Sequence, residues 1–105
     1  MFDIESIQEM YSKRGVVVRK HFHERIKERE IKHNDIRSCI MGGEIIEQDL
    51  NDEPNPTVLI LGHSPSGEPL HVAVGVDDDK IHLITTYWPT LDIWEADYKT
   101  RRSQT

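Results

Sequence analysis

The hydrophobic period of this chain changes at Gly42-Gly43, and that change constrains the fold more than any other feature. Before it, apolar residues recur at three and four: Ile4, Ile7, Met10 and Tyr11, then Phe22 and Ile26, then Ile36, Cys39 and Ile40. That spacing places side chains on one face of a helix. After it come four short apolar runs, alternating or continuous and bounded by turn residues, which is the pattern of strands.

The helical part predicts a first helix over about 3–13, with Asp3 as cap and Gly15 as stop. Val16-Val17-Val18 reads as a short strand or extended lead-in. A second helix starts at His21 or Phe22 and turns Phe22 and Ile26 inward, and a third begins after Asn34 and ends at the glycine pair. The strands are expected at Glu44 to Gln48, Val58 to Gly62, Leu70 to Val76 and Ile81 to Tyr87. Their connections, residues 51–56, 64–67 and 77–80, carry Asn, Asp, Pro, Ser and Gly and are short enough for antiparallel neighbours. The fold class is therefore α+β: two or three N-terminal helices packed on an antiparallel sheet of about four strands. The last two strands should form a hairpin with Leu70, Val72 and Val74 on the face of Leu83, and with His71 looking out beside Thr86. Thr85 and Tyr87 then lie on the side opposite Thr86 and His82.

A length of 105 residues suits one domain, here 1–105. Leu91, Trp94 and Tyr98 are spaced to dock the end of the chain, after which Lys99, Arg101 and Arg102 run out as a flexible basic tail over about 99–105. Cys39 is the only cysteine, so no disulfide forms within the chain, and a reducing, cytoplasmic setting is expected. No basic start leads into an apolar leader, and nothing approaches the ~18 apolar residues of a membrane span.

The net charge of -6 argues against indiscriminate attraction to nucleic acid, which depends on Lys and Arg meeting phosphates. Its distribution is uneven. Nine of the thirteen basic residues lie between positions 13 and 37 against four acids, whereas residues 38–98 hold one lysine against twelve acids. Such a chain can hold an anionic ligand locally, or its two parts can attract each other.

Within the basic part, His21, Arg25 and Arg29 are four apart and would share one helix stripe. Stacked like charges cost a helix about 0.2–0.5 kcal/mol per pair, so the stripe needs either neighbouring carboxylates or an anionic ligand. Glu24 and Glu28 supply the first, making a solvated, salt-laced face the plainer account; arginine as a phosphate clamp and histidine as an acid–base group supply the second. His71 alternates away from Leu70, Val72, Val74 and Val76, beside Ala73 and Gly75. It is either a structural histidine bonded across the sheet or a catalytic one over a hollow. Six histidines invite a metal reading, but His21 and His23 do not share a helix face, and Asp77-Asp78-Asp79 lacks the rest of a calcium loop. No metal and no cofactor is expected.

The order of His21-Phe22-His23-Glu24-Arg25, Glu28-Arg29-Glu30-Ile31, Gly43-Glu44-Ile45-Ile46-Glu47, Leu59-Ile60-Leu61-Gly62, Pro69-Leu70-His71-Val72, Ile84-Thr85-Thr86-Tyr87-Trp88-Pro89, Trp94 and Arg101-Arg102 resembles a bacterial domain-of-unknown-function family, DUF4258, over roughly residues 19–102. The resemblance implies a RelE-like fold of the barnase/EndoU/colicin/RelE (BECR) group and a metal-independent endoribonuclease toxin of a type II pair. Its partners would be RNA, in a ribosomal setting or free, and an antitoxin of zinc-finger type. Carried over, His21, Arg25, His71, Thr85 and Tyr87 would line the catalytic site; Arg29, Arg101 and Arg102 are the residues expected to hold nucleic acid. In that mechanism His21 or His71 takes the proton of an RNA 2′-hydroxyl, and Arg25 and Arg29 stabilise the phosphate charge. The competing expectation is a non-catalytic protein-interaction domain on the same scaffold, its acidic sheet serving a basic partner.

Overall fold

The computed structural model describes residues 1–13, 15–78 and 80–103. The chain runs α1 (Ile4–Lys13), β1 (Val16–Val18), α2 (Lys20–Glu28), α3 (His33–Gly42), β2 (Glu44–Asp49), β3 (Thr57–His63), β4 (Pro69–Asp77) and β5 (Lys80–Tyr87). Local chemistry sets the helix starts. Asp3 Oδ1 accepts the Ser6 N–H at 2.8 Å, and the Asp35 carboxylate accepts the Lys32 N–H at 2.9 Å, so each satisfies a donor that a helix start leaves over.

The sheet has five strands in the order β1-β5-β4-β3-β2. The four antiparallel strands expected from the pattern are present, but the sheet is mixed. Val16, Val17 and Val18 pair in parallel with Ile81, His82 and Leu83, so the short valine run is an edge strand and not a lead-in. Three β-branched residues fit a pleated edge, and the distance in sequence to β5 allows the crossover that parallel pairing needs.

All three helices lie on one face. Ile7, Phe22, Ile26, Ile36, Cys39 and Ile40 pack with Val58, Ile60, Val72, Val74, Ile81 and Leu83 in one buried cluster, with α1 and α2 against β5 and α3 against β3 and β4. The α3 contact is close enough to dictate sequence. A Cβ on Gly62 would sit 2.6 Å from the Cys39 Cα and nearer still to its carbonyl oxygen, so only glycine admits the helix there. Cys39 itself donates Sγ–H to the Leu70 carbonyl at 3.2 Å, and burial pushes its thiol up to about 12, which leaves it unreactive.

The hairpin of β4 and β5 departs from simple alternation. Ala73 pairs with Thr85 but Val74 pairs with Leu83, so Ile84 is an extra residue that bulges out of the ladder. Val74 and Leu83 share the core face as expected. Beyond the bulge the faces exchange: Thr86 stands opposite Val72 in the core, and His71 stands opposite Tyr87, not beside Thr86. Thr85, Tyr87 and His82 therefore share the outer face, against the expectation that they divide.

Phe22 is 1% exposed, so Phe22→Ala should cost about 3–5 kcal/mol in denaturant unfolding. Gly62→Ala should cost about 1–3 kcal/mol through the Cys39 clash, with more if α3 cannot shift. Gly42→Ala is the control, because nothing lies within 4 Å of the added carbon; there stability should hold or rise.

Candidate functional site

The outer face of the sheet would be open to solvent if the chain stopped at Tyr87. Residues 89–102 instead fold back across it. Trp94 is buried and packs edge-on against the His71 ring, with centroids 4.5 Å apart, and the Arg101 guanidinium lies 4.6 Å over the same indole. Arg101 grips Glu47 through two hydrogen bonds of 2.7 and 2.9 Å; Lys99 reaches Glu44 at 3.2 Å, and Arg102 reaches Glu95 at 3.0 Å and the Leu91 carbonyl. Lys99 and Arg101, which open the segment expected as a flexible tail over about 99–105, are thus tied to the acidic strand β2. Opposite charge holds them, supported by an aromatic anchor.

His71 lies beneath this strap with no exposed surface. Its Nε2 is 2.7 Å from the Tyr98 carbonyl, which can only accept, so Nε2 carries the proton. Nδ1 then accepts from the Tyr87 hydroxyl at 3.1 Å. Tyr98 takes a left-handed backbone, φ 59°, which aims its carbonyl inward. Burial lowers the His71 pKa below the ordinary value, with the Tyr98 hydrogen bond acting the other way, and burial raises that of Tyr87. Both ring nitrogens are engaged and the site is covered. In this conformation His71 is a structural histidine.

The other nominated residues divide. α2 ends at Glu28, and Arg29 is its C-cap, so the expected three-residue stripe does not form. Arg29 turns to the end of β5, where its Nη1 donates to the Thr86 carbonyl at 2.7 Å and approaches Thr85 Oγ1 at 3.4 Å. Arg25 remains on the exposed helix face beside Glu28 at 3.4 Å and lines neither of the two hollows that follow. Thr85, Tyr87 and Arg101 border a hollow of about 290 Å³ with Glu47 and Asp49. His21 borders a larger one of about 400 Å³, floored by Ala73 and Gly75 and walled by Arg19, His82 and the loop residues Asp52, Glu53 and Asn55. The two hollows share Thr57 and Ala73, so they form one run along the outer face. His21 and Tyr87 stand on this run, and His71 and Arg25 line neither hollow.

Two residues of the larger hollow escaped the sequence reading. His82 alternates outward between Ile81 and Leu83, a signal available from the pattern, but its partner is set by the turn: Nε2 lies 3.2 Å from Asp77 Oδ2. Arg19, the N-cap of α2, has no side-chain capping bond. Among the described residues no three His, Cys, Asp or Glu side chains gather to hold a metal ion, although the His23 and His33 rings lie tilted to each other with centroids 5.3 Å apart. Asp79 of the acidic turn lies outside the described residues. Among the described residues no helix is long and apolar enough to cross a membrane.

Three helices on one face of a five-stranded mixed sheet, with hollows that include His21 and His82 on the other, define a small α+β domain. The chain belongs to the family described as Domain of unknown function (DUF4258), whose model matches residues 18–88. Searches among curated proteins and among solved structures each found no match.

His71 yields a pH prediction. Its folded pKa lies below the unfolded value of about 6.5, so the folded state binds fewer protons in that range. Its contribution to stability is complete above the unfolded value and declines as pH falls below it. The melting temperature should drop from pH 7 to 5.5, and the drop should shrink in His71→Gln; parallel profiles for the two proteins would show that His71 is not held neutral.

Proposed function

We propose that the domain is an endoribonuclease-like toxin of the barnase/EndoU/colicin/RelE group. It would act on RNA in the cytoplasm as half of a type II toxin–antitoxin pair, with the antitoxin, of zinc-finger type, as its protein partner. The observation that carries this reading is the larger outer-face hollow, where His21 stands beside Arg19 over a floor of small residues. An imidazole that can move a proton near neutral pH and a guanidinium that can meet a phosphate are the two groups that cleavage by a 2′-hydroxyl requires. Both residues lie within the span that the family model matches, residues 18–88. In this form of the reading His71 fixes the Tyr87 hydroxyl and the strap, and does not itself handle the substrate proton. Arg25 is a helix-surface charge.

A protein-interaction domain is the second reading, and a specific observation favours it: His71 is sealed, and the sheet's outer rim carries Asp49, Asp52 and Glu53, which suit a basic partner.

Purified chain, free of any antitoxin, should cleave RNA at pH 6 to 8 in the presence of EDTA, leave 2′,3′-cyclic phosphate ends, and slow as salt rises. His21→Ala should lower the rate by about 10²–10⁴ without unfolding, if the imidazole is a general acid or base; Arg25→Ala should leave it nearly unchanged. Absence of cleavage with naked RNA and with ribosomes, together with no growth arrest on expression, would reject the enzyme in favour of partner binding.

A further inference from the structure

We propose that the larger hollow is a nucleotide-phosphodiester site in which His82, held by Asp77, is the second proton-transfer residue together with His21. The inference rests on the ribonuclease reading and extends it, since neither the family resemblance nor the sequence pattern nominated His82.

Four observations lead there. First, cleavage by an internal hydroxyl needs two proton movements, one off the attacking 2′-oxygen and one onto the departing 5′-oxygen, and two groups in one site do this without waiting for solvent. With His71 covered and bonded at both nitrogens, one of the two histidines nominated for that chemistry is withdrawn. Second, the hollow nonetheless holds two imidazoles, His21 from the first turn of α2 and His82 from β5, with Arg19 beside them.

Third, His82 is oriented. Its Nε2–H donates to Asp77 Oδ2 at 3.2 Å, which fixes the ring and leaves Nδ1, with no protein partner among the described residues, as the nitrogen that carries the lone pair. A carboxylate that fixes the tautomer of a histidine is the arrangement by which imidazoles are made into bases. The side chain keeps about 20% of its surface exposed, so a ligand can reach it. Fourth, the acidic wall is compatible with a nucleotide. The Asp52 carboxylate is engaged within its own loop, taking the Glu53 N–H at 2.9 Å and the Thr57 hydroxyl at 3.1 Å. Glu53 remains as an acceptor for the N–H groups on a base edge, while the phosphate faces Arg19 and the imidazoles.

The step balances on these groups. His82 Nδ1 removes the 2′-hydroxyl proton as O2′ bonds to phosphorus, the bond from phosphorus to O5′ breaks, and protonated His21 gives its proton to that oxygen. The products are a 2′,3′-cyclic phosphate and a 5′-hydroxyl end. Asp77 is a positioning residue, since it acts through His82.

Two measurements test this on the full chain. Cytidine 3′-monophosphate, added during NMR observation of the imidazoles, should shift the His21 and His82 ring signals together and leave His63, at the far end of β3, unmoved. No shift at His21 or His82 overturns the site. In cleavage assays His82→Ala should lower kcat by about 10²–10⁴ with KM little changed. Asp77→Asn should lower kcat less and alter its pH profile, and His63→Ala should match wild type. If the wild-type chain cleaves RNA and His82→Ala cleaves as fast, this inference fails while the ribonuclease reading stands. If the wild-type chain does not cleave but both imidazoles still respond to the nucleotide, the ribonuclease reading falls and the nucleotide site stands.

Discussion

The bulge at Ile84 decides which side chains of this domain can meet. A strand alternates strictly, so without an extra residue Thr85 and Tyr87 would follow Ile81 and Leu83 into the core. One inserted residue reverses the faces. The Tyr87 hydroxyl then meets His71, Thr86 takes the core position and satisfies its hydroxyl on the His71 carbonyl at 2.7 Å, and the outer face gains a polar row. The same bulge pushes Ile84 into the wall of the larger hollow, next to the glycine that floors it. A local irregularity in the ladder thereby assembles both the covered cluster and the open one.

The strap that follows β5 depends on that row. Its indole packs edge-on with His71, and its cations need the carboxylates that β2 displays on the same face. Exposed ion pairs contribute little singly, on the order of 0–1 kcal/mol, so burial of Trp94 is the larger stabilising term, with the ion pairs setting where the segment lies. The division of charge along the chain is thus partly internal: the acidic strand attracts the basic end. The basic residues of α2 take no part in this. Arg19 lines the hollow and has no ion pair among the described residues.

Two histidines of similar sequence context meet different surroundings in the fold. His71 and His82 both alternate outward among apolar residues on neighbouring strands. Covering by the strap makes the first a neutral anchor with both nitrogens bonded, whereas the second keeps one nitrogen and part of its surface free beside a cavity. Accessibility, not residue type, distinguishes them.

Periodicity alone determined the three helices, the four antiparallel strands and the core faces of Phe22, Ile26, Val72 and Val74. These depend on contacts between residues three, four or two apart, and such contacts are written in neighbouring letters. Tertiary structure decided the parallel docking of Val16–Val18, the bulge, the fate of the C-terminal segment and the company kept by each histidine. His21, Arg25 and Arg29 show the limit: their spacing assumes a continuous helix, but the helix stops at Glu28, so Arg29 leaves the stripe for β5. A cluster assembled from residues more than 50 positions apart depends on where chain segments cross. That depends on packing and on charges meeting across the fold, which no local pattern records.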